Sequence, residues 1–277
     1  MSGVIRYLVF DLDGTIYQDL DFYKDYIHFL TRGTDKEAWR DSLICFTQGV
    51  LSGKRLRMNS FYCNEPIPAE DPARYFPLLE AAAAPSISCS DMPSKKEYTY
   101  LGDAWSVVAL YGCTLGLFEG ERADKVYRLT RRRMERAGRT GNARLGKAIL
   151  NAGKKCETIL LSNSYRDTGL EFLRQLGFNN IFNKCAFSVE KPYGMMDALK
   201  TLCPAALDAP ETVLTIGDHA FNDLAPLARI GCRTLWMNPY PGIQEPRHDV
   251  CLRTPDELAD YLNALISEEN SVDIKTS

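Results

Sequence analysis

Asp11-Leu12-Asp13-Gly14-Thr15 follows directly on the apolar run Val4-Ile5-Arg6-Tyr7-Leu8-Val9-Phe10. The run reads as a buried strand of about Val4 to Phe10. Two carboxylates separated by one residue therefore stand at a strand end. One can attack an electrophile, the other can move a proton, and both can hold a hard cation. Gly14 permits a sharp reversal of the chain, and Thr15 can pin the resulting loop. With average residue usage, Asp-x-Asp-Gly-Thr arises by chance in roughly one chain of this length in a few hundred.

Outward from this point the texture changes twice. Helical spacing of Phe22, Tyr26, Ile27 and Leu30 predicts a helix over Asp21 to Leu30. Thr34-Asp35-Lys36-Glu37 reads as a capping box opening a helix through Phe46. The stretch from Asn64 to Pro93 is rich in Pro, Ala and Ser and predicts one short helix near Ala73 to Ala83. Tyr100 to Leu117 reads as a buried helix, and Glu121 to Ala137 as an exposed amphipathic one. From about Asn142 strands and helices alternate. Strands are expected at Thr158 to Leu161, Cys185 to Ser188, Thr212 to Ile216, Cys232 to Trp236 and Val250-Cys251. Helices are expected at Asn142 to Ala152, Arg166 to Leu176, Tyr193 to Leu202, Asn222 to Arg229 and Pro255 to Ile266. The polar tail from Ser267 to Ser277 is expected to fray. Such alternation predicts a parallel sheet covered on both faces. The simplest organisation is a discontinuous core of residues 1–18 and 140–277, interrupted by a mostly helical domain at 19–139.

Ligands of open α/β sheets bind at the carboxyl ends of the strands. Four polar sets occupy those ends: Asp11 to Thr15, Ser162-Asn163-Ser164, Lys191-Pro192, and Gly217-Asp218 with Asn222-Asp223 one helical turn later. In order and chemistry they resemble the motifs of the haloacid dehalogenase-like (HAD) superfamily. That resemblance implies a Rossmann-like α/β core with a helical cap inserted between the first and second motifs. Insertions at that place commonly act as lids. It also implies roles. Asp11 would be the nucleophile, and Asp13 the general acid and base. Lys191 would neutralise charge. Thr15, Ser162 and the Asn163 backbone amide would bind the phosphoryl oxygens. Mg²⁺ would sit on Asp11, the Asp13 main-chain carbonyl and Asp218, with Asp223 a ligand directly or through water.

The implied activity is Mg²⁺-dependent hydrolysis of a small phosphorylated metabolite through an aspartyl-phosphate. A phosphotransferase or phosphomutase would use the same motifs, and a non-catalytic binding protein could share the fold. Dehalogenation is disfavoured because it needs neither Asp13 nor a metal. Bulk properties narrow the field further. The chain has 277 residues, 45% hydrophobic and 25% charged, with a formal net charge of −3. Nothing there attracts nucleic acid or an anionic membrane, and no apolar run approaches the length of a membrane span. The start, Met1-Ser2-Gly3-Val4-Ile5-Arg6, does not read as a signal peptide. Nine scattered cysteines without a Cys-x-x-Cys pair suit reduced thiols in the cytoplasm, and three histidines offer no zinc spacing.

Other residues have plainer readings. His219 is expected to fill its loop. Arg128, Arg131, Arg132, Arg133, Arg136 and Arg139 spread around their helix and read as a solvated face. Tyr17, Phe22, Tyr23 and Tyr26 suit packing at least as well as a substrate pocket.

Overall fold

The structure, a computed structural model, describes every residue except 1–3, Arg139, Pro241 and 274–277, and every described side chain except those of 268–273. In chain order the elements are β1 (Tyr7–Phe10), α1 (Phe22–Thr31), α2 (Arg40–Leu51), β2 (Phe61–Cys63), α3 (Pro72–Ala81), β3 (Tyr98–Tyr100), α4 (Ala104–Thr114) and α5 (Arg122–Arg136). There follow α6 (Ala143–Ala152), β4 (Glu157–Leu161), α7 (Arg166–Gln175), β5 (Lys184–Ala186), α8 (Met195–Leu202), α9 (Ala205–Asp208) and β6 (Val213–Gly217). The last are α10 (Ala225–Ala228), β7 (Arg233–Met237), β8 (Val250–Leu252) and α11 (Pro255–Asp273). They form two compact units: Met1–Gln18, Gly138–Pro239 and Arg247–Ser277 make the first, Asp19–Ala137 and Tyr240–Pro246 the second.

Six strands of the first unit form one sheet in the order β5-β4-β1-β6-β7-β8. Every pairing is parallel. Parallel sheets are covered on both faces, so their strands are almost wholly apolar; Leu8-Val9-Phe10 and Ile159-Leu160-Leu161 are fully buried. Val9, Ile159, Leu161 and Val213 pack on one face against Met195 and Leu199 of α8, Ala206 of α9 and Leu227 of α10. Alternation along β1 turns Leu8 and Phe10 the other way, where Phe10 meets Phe182 edge to face at 5.5 Å. α6 and α11 pack on one another, and Asn142 caps α6 by accepting from the Leu145 N–H at 2.9 Å.

This topology sets the place of the site. The chain steps from β1 to β4 and β5 on one side, then returns to β6 on the other. In open α/β sheets a reversal of this kind places the ligand site beyond the carboxyl ends of the flanking strands, here β1 and β6. Register brings those ends level, since Phe10 lies opposite both Leu160 and Ile216.

The second unit holds α1 to α5 and an antiparallel pair, in which Phe61 faces Tyr100 and Cys63 faces Tyr98. Its segment Tyr240–Pro246 is fastened there by the Asn59 amide, which donates to the Gln244 carbonyl at 2.6 Å. A cavity of about 340 Å³ lies beside it, lined in part by Arg57, Tyr62 and Tyr100.

Several local expectations change. The first strand is shorter, Tyr7–Phe10. Thr34 and Glu37 form no capping box, although a 3₁₀ helix starts at Glu37: Glu37 Oε2 accepts from the Gly33 N–H at 2.9 Å, and Thr34 Oγ1 donates to Thr31 O at 2.6 Å. These bonds close the end of α1, and α2 starts only at Arg40 after a 3₁₀ turn. Residues 98–100 are strand, and α4 begins at Ala104 with a capping box between Asp103 and Ser106. Within α5, Arg131 is fully buried rather than solvated, because it shares a face with Val126, Thr130 and Met134. Arg139 lies outside the described residues. The tail does not fray at Ser267: α11 continues to Asp273, with 274–277 outside the described residues. Among the described residues no helix is long and apolar enough to cross a membrane, and no cysteine is in a disulfide.

Candidate active site

β1 delivers Asp11 to the sheet end, where its N–H still pairs with Ile216 O at 2.9 Å. The chain then folds back on itself through Ile16 N–H to Leu12 O (3.2 Å) and Gly14 N–H to Tyr17 O (3.1 Å). Gly14 adopts φ +83°, and a Cβ there would lie 2.0 Å from Asp218 Oδ2. Only glycine lets the Asp218 carboxylate approach this loop. Buried Thr15 turns back and donates to Asp11 Oδ2 at 3.2 Å.

The second and third motifs are stitched together beyond β4. The Val189 N–H donates to Ser162 O at 3.1 Å and the Ser188 N–H to Ser164 O at 2.9 Å. The chain passes through left-handed backbone at Ser188 (φ 54°) and Glu190 (φ 57°) before a cis Lys191–Pro192 peptide. Asn163 clamps this loop, its Oδ1 accepting from the Lys191 N–H at 2.6 Å and its Nδ2 donating to Lys191 O at 3.3 Å. The buried Lys191 ammonium then reaches Asp11 Oδ1 at 2.5 Å and Asp223 Oδ1 at 2.6 Å.

The fourth motif is a π-helical turn, Ala220–Leu224, after β6. Such turns often mark functional sites. Asp223 Oδ2 accepts from the His219 N–H at 3.0 Å, and its carbonyl accepts from Thr215 Oγ1 at 2.7 Å. A Cβ on Gly217 would fall 2.3 Å from Asp223 Cβ, so this strand end must also be glycine. His219 caps the turn, with Nδ1 accepting from the Asn222 N–H at 3.2 Å. The Asp218 carbonyl accepts from the buried Trp236 indole at 2.8 Å.

The result is a dense, buried charge cluster. Asp11, Asp218 and Asp223 each offer a carboxylate oxygen, all within 4.8 Å of one another. Burial pushes the Asp11 carboxyl up to about 7; the charges of Asp223 and Asp13 act in the same sense, and Lys191 opposes them. Burial alone would lower the Lys191 ammonium, but Asp11 and Asp223 outweigh it and hold it above its ordinary value. Asp13 accepts from the Tyr17 phenol and, at 2.7 Å, from Ser164 Oγ.

Hydrogen bonds and ion pairs thus link Asp11, Thr15, Asn163, Lys191 and Asp223, while Asp13 is held by Tyr17 and Ser164, with Asp218 beside Gly14 and Ser162 Oγ accepting from the Ser164 N–H at 3.1 Å. Asn163 acts through its side chain on the Lys191 loop, beyond the backbone role expected of it. Trp236 carries no motif signal, because it belongs to the next strand and acts on a main-chain atom. Tyr17 is visible in the sequence only as an aromatic near Asp13.

No protein-family model matches this chain. No curated protein matches it either. Solved structures do. The HAD-hydrolase YfnB from Bacillus subtilis, bound to magnesium, superposes with a TM-score of 0.54 at 18% identity, covering 94% of this chain and all (100%) of YfnB. A β-phosphoglucomutase from Thermotoga maritima gives 0.49 at 13%, covering 94% of this chain and 99% of its own. L-2-haloacid dehalogenase from Xanthobacter autotrophicus gives 0.47 at 14%, covering 94% and 98%. The likeness to YfnB shows that the chain has the fold of the HAD-like hydrolases: a Rossmann-like α/β core with an inserted helical part.

Proposed function

We propose that this protein is a Mg²⁺-dependent phosphatase of a small phosphorylated metabolite, working through an aspartyl-phosphate on Asp11. The observation that carries the reading is the buried contact of Lys191 with Asp11 at 2.5 Å, beside Asp218 and Asp223.

The donor set suits a hard divalent cation. Buried carboxylate oxygens are the ligands Mg²⁺ prefers, and the three carboxylates carry more negative charge than one ammonium neutralises. Gly14 and Gly217 leave room for Asp218 and Asp223 and for no Cβ of their own. Asp11, Asp218 and the Asp13 main-chain carbonyl would hold the ion, with Asp223 completing the set or acting through water. When bound, it neutralises charge that builds on the transferring phosphoryl group.

The chain's own residues supply the rest. Thr15 and Lys191 orient the Asp11 carboxylate, one on each oxygen. Asp11 bonds to phosphorus as the ester P–O bond breaks, and Asp13 gives its proton to the departing oxygen. Asp13 then takes a proton from water, whose oxygen bonds to phosphorus as the aspartyl P–O bond breaks. Lys191, Ser162, Thr15 and the Asn163 amide neutralise or bind the phosphoryl oxygens. Asp223 holds Lys191 in place. Nine thiols without a Cys-x-x-Cys pair fit a reducing, cytoplasmic setting.

The test is hydrolysis of an aryl phosphate by the full chain with Mg²⁺. Turnover should vanish with EDTA and in Asp11→Asn. Asp13→Asn should keep metal binding and lose most turnover. Phosphate moving to a second hydroxyl instead of water would make the protein a phosphotransferase. Metal binding without turnover across a panel of phosphorylated metabolites would make it a binding protein.

A further inference from the structure

Two hydroxyls converge on Asp13, and the scheme above uses neither. The Tyr17 phenol donates to Oδ1, and Ser164 Oγ donates to Oδ2 at 2.7 Å. They arrive from different loops, one after β1 and one after β4, and each is itself held. Tyr17 is buried, with its ring tilted against Phe172 of α7 at 5.3 Å between centroids. Its carbonyl accepts from the Gly14 N–H, the bond that closes the nucleophile loop. Ser164 is buried and fastened at both main-chain atoms, its N–H on Ser162 Oγ and its carbonyl on the Ser188 N–H.

Resting on the phosphatase reading, we infer that Tyr17 and Ser164 are positioning residues that fix which oxygen of Asp13 moves the proton. A protonated carboxyl has one carbonyl oxygen and one hydroxyl oxygen. A phenol packed against Phe172 donates to Oδ1 and keeps it the carbonyl oxygen. A serine hydroxyl rotates, donating to Oδ2 or accepting from it as needed. Oδ2 therefore carries the proton. In the first half-reaction the Oδ2–H proton passes to the ester oxygen while the P–O bond to the leaving group breaks and the bond to Asp11 forms. In the second, Oδ2 takes a proton from water as the water oxygen bonds to phosphorus and the bond to Asp11 breaks. Without Tyr17 the carboxyl can rotate, and the acid no longer meets the leaving oxygen in one orientation.

Leaving-group dependence tests this. A dinitrophenolate departs without a proton, whereas an alkoxide needs one. The measurement is kcat/KM of the full chain with Mg²⁺ on dinitrophenyl, nitrophenyl, phenyl and alkyl phosphates. Tyr17→Phe should lose about 100-fold on the alkyl ester and no more than about threefold on the dinitrophenyl ester. Ser164→Ala should steepen the dependence in the same sense, and Ser164→Thr, which keeps the hydroxyl, should restore it. In an Asp13→Asn background, Tyr17→Phe should add nothing. An equal loss on every ester, no loss at all, or a loss that adds to that of Asp13→Asn overturns the inference and leaves the phosphatase reading standing. A wild-type chain that hydrolyses none of the four overturns both.

Discussion

Buried polar groups are satisfied differently in the helices of the second unit and at the strand ends of the first. In the second unit Thr31, Thr47, Thr114 and Thr130 are buried, and each hydroxyl donates to the carbonyl one turn back in its own helix. Such bonds are local and satisfy the side chain wherever the helix goes. At the strand ends of the first unit the buried groups include the charged Asp11, Lys191, Asp218 and Asp223, and some of the contacts there are remote. Lys191 meets Asp11 across 180 residues, and Ser164 meets Asp13 across 151. Burying charge is costly even when it is paired, and a hydrophobic core of equal volume is often as stable or more so. A network that joins four strand ends at that cost is best explained by what it does to a ligand. Deleting a polar group should therefore change chemistry in the first unit and stability in the second.

Asp11→Asn should produce the largest effect. The amide is almost isosteric but cannot form the proposed aspartyl-phosphate, so kcat should fall by about 10⁴-fold or more. Steady-state hydrolysis with Mg²⁺ and a thermal melt of the same sample check it. A variant that stays folded and keeps more than a tenth of its turnover breaks the comparison at its strongest point.

Gly217→Ala comes next. The new Cβ would collide with Asp223 Cβ, and since the backbone fixes both atoms, one backbone segment must shift. Overpacking should cost about 1–3 kcal/mol of stability in denaturant unfolding. Misplacing Asp223 also misplaces Lys191, and a displacement near 1 Å costs roughly 100-fold in rate. A loss of stability with kcat unchanged would show that Asp223 does not position Lys191.

This glycine also marks how far the sequence could be read. Strand ends were accessible because each motif pairs a short apolar run with polar residues at its close, a local signal. Leu8-Val9-Phe10 and Val213-Leu214-Thr215-Ile216 point to Asp11 and Asp218 by pattern alone. The need for glycine at 217 arises from a neighbour six residues on in a π-helical turn, whose geometry no hydrophobic period reveals. The second unit was harder for the same reason. Phe61–Cys63 and Tyr98–Tyr100 are too short to show a period, and they become strands only by pairing with each other. Thr34 to Glu37 carries the letters of a capping box, yet the Glu37 carboxylate and the Thr34 hydroxyl proton both go to the end of α1. Where a decision depended on contacts distant in sequence, local pattern could not make it.

Asp218→Asn should act on the cation rather than on the chemical step. Removing one carboxylate from the cluster should raise the Mg²⁺ needed for half-maximal activity about 10- to 100-fold, with kcat at saturation changed far less. The same loss should appear without substrate. Mg²⁺ at about 100 times its dissociation constant stabilises a folded protein by roughly 2.7 kcal/mol, and that increment should vanish from the melt of the variant at the same concentration. An unchanged Mg²⁺ response in both assays would remove Asp218 from the site.

The smallest effect is expected from Tyr75→Phe in the second unit, and it probes the other half of the contrast. The Tyr75 phenol is buried and shares a hydrogen bond of 2.6 Å with Thr114 Oγ1. Thr114 still donates to Leu110 O at 2.7 Å when the phenol oxygen is gone, so no buried donor is left without a partner. The change should therefore cost only about 1 kcal/mol in urea unfolding, the net worth of one neutral hydrogen bond. Tyr17→Phe deletes the same atom from the same residue type in the first unit, where its partner is the Asp13 carboxylate, the proposed proton carrier. Matched melts and matched kcat/KM values on an alkyl phosphate compare the two directly. If Tyr75→Phe slows hydrolysis as much as Tyr17→Phe does, the two units do not divide stability from chemistry in the way their buried polar groups suggest.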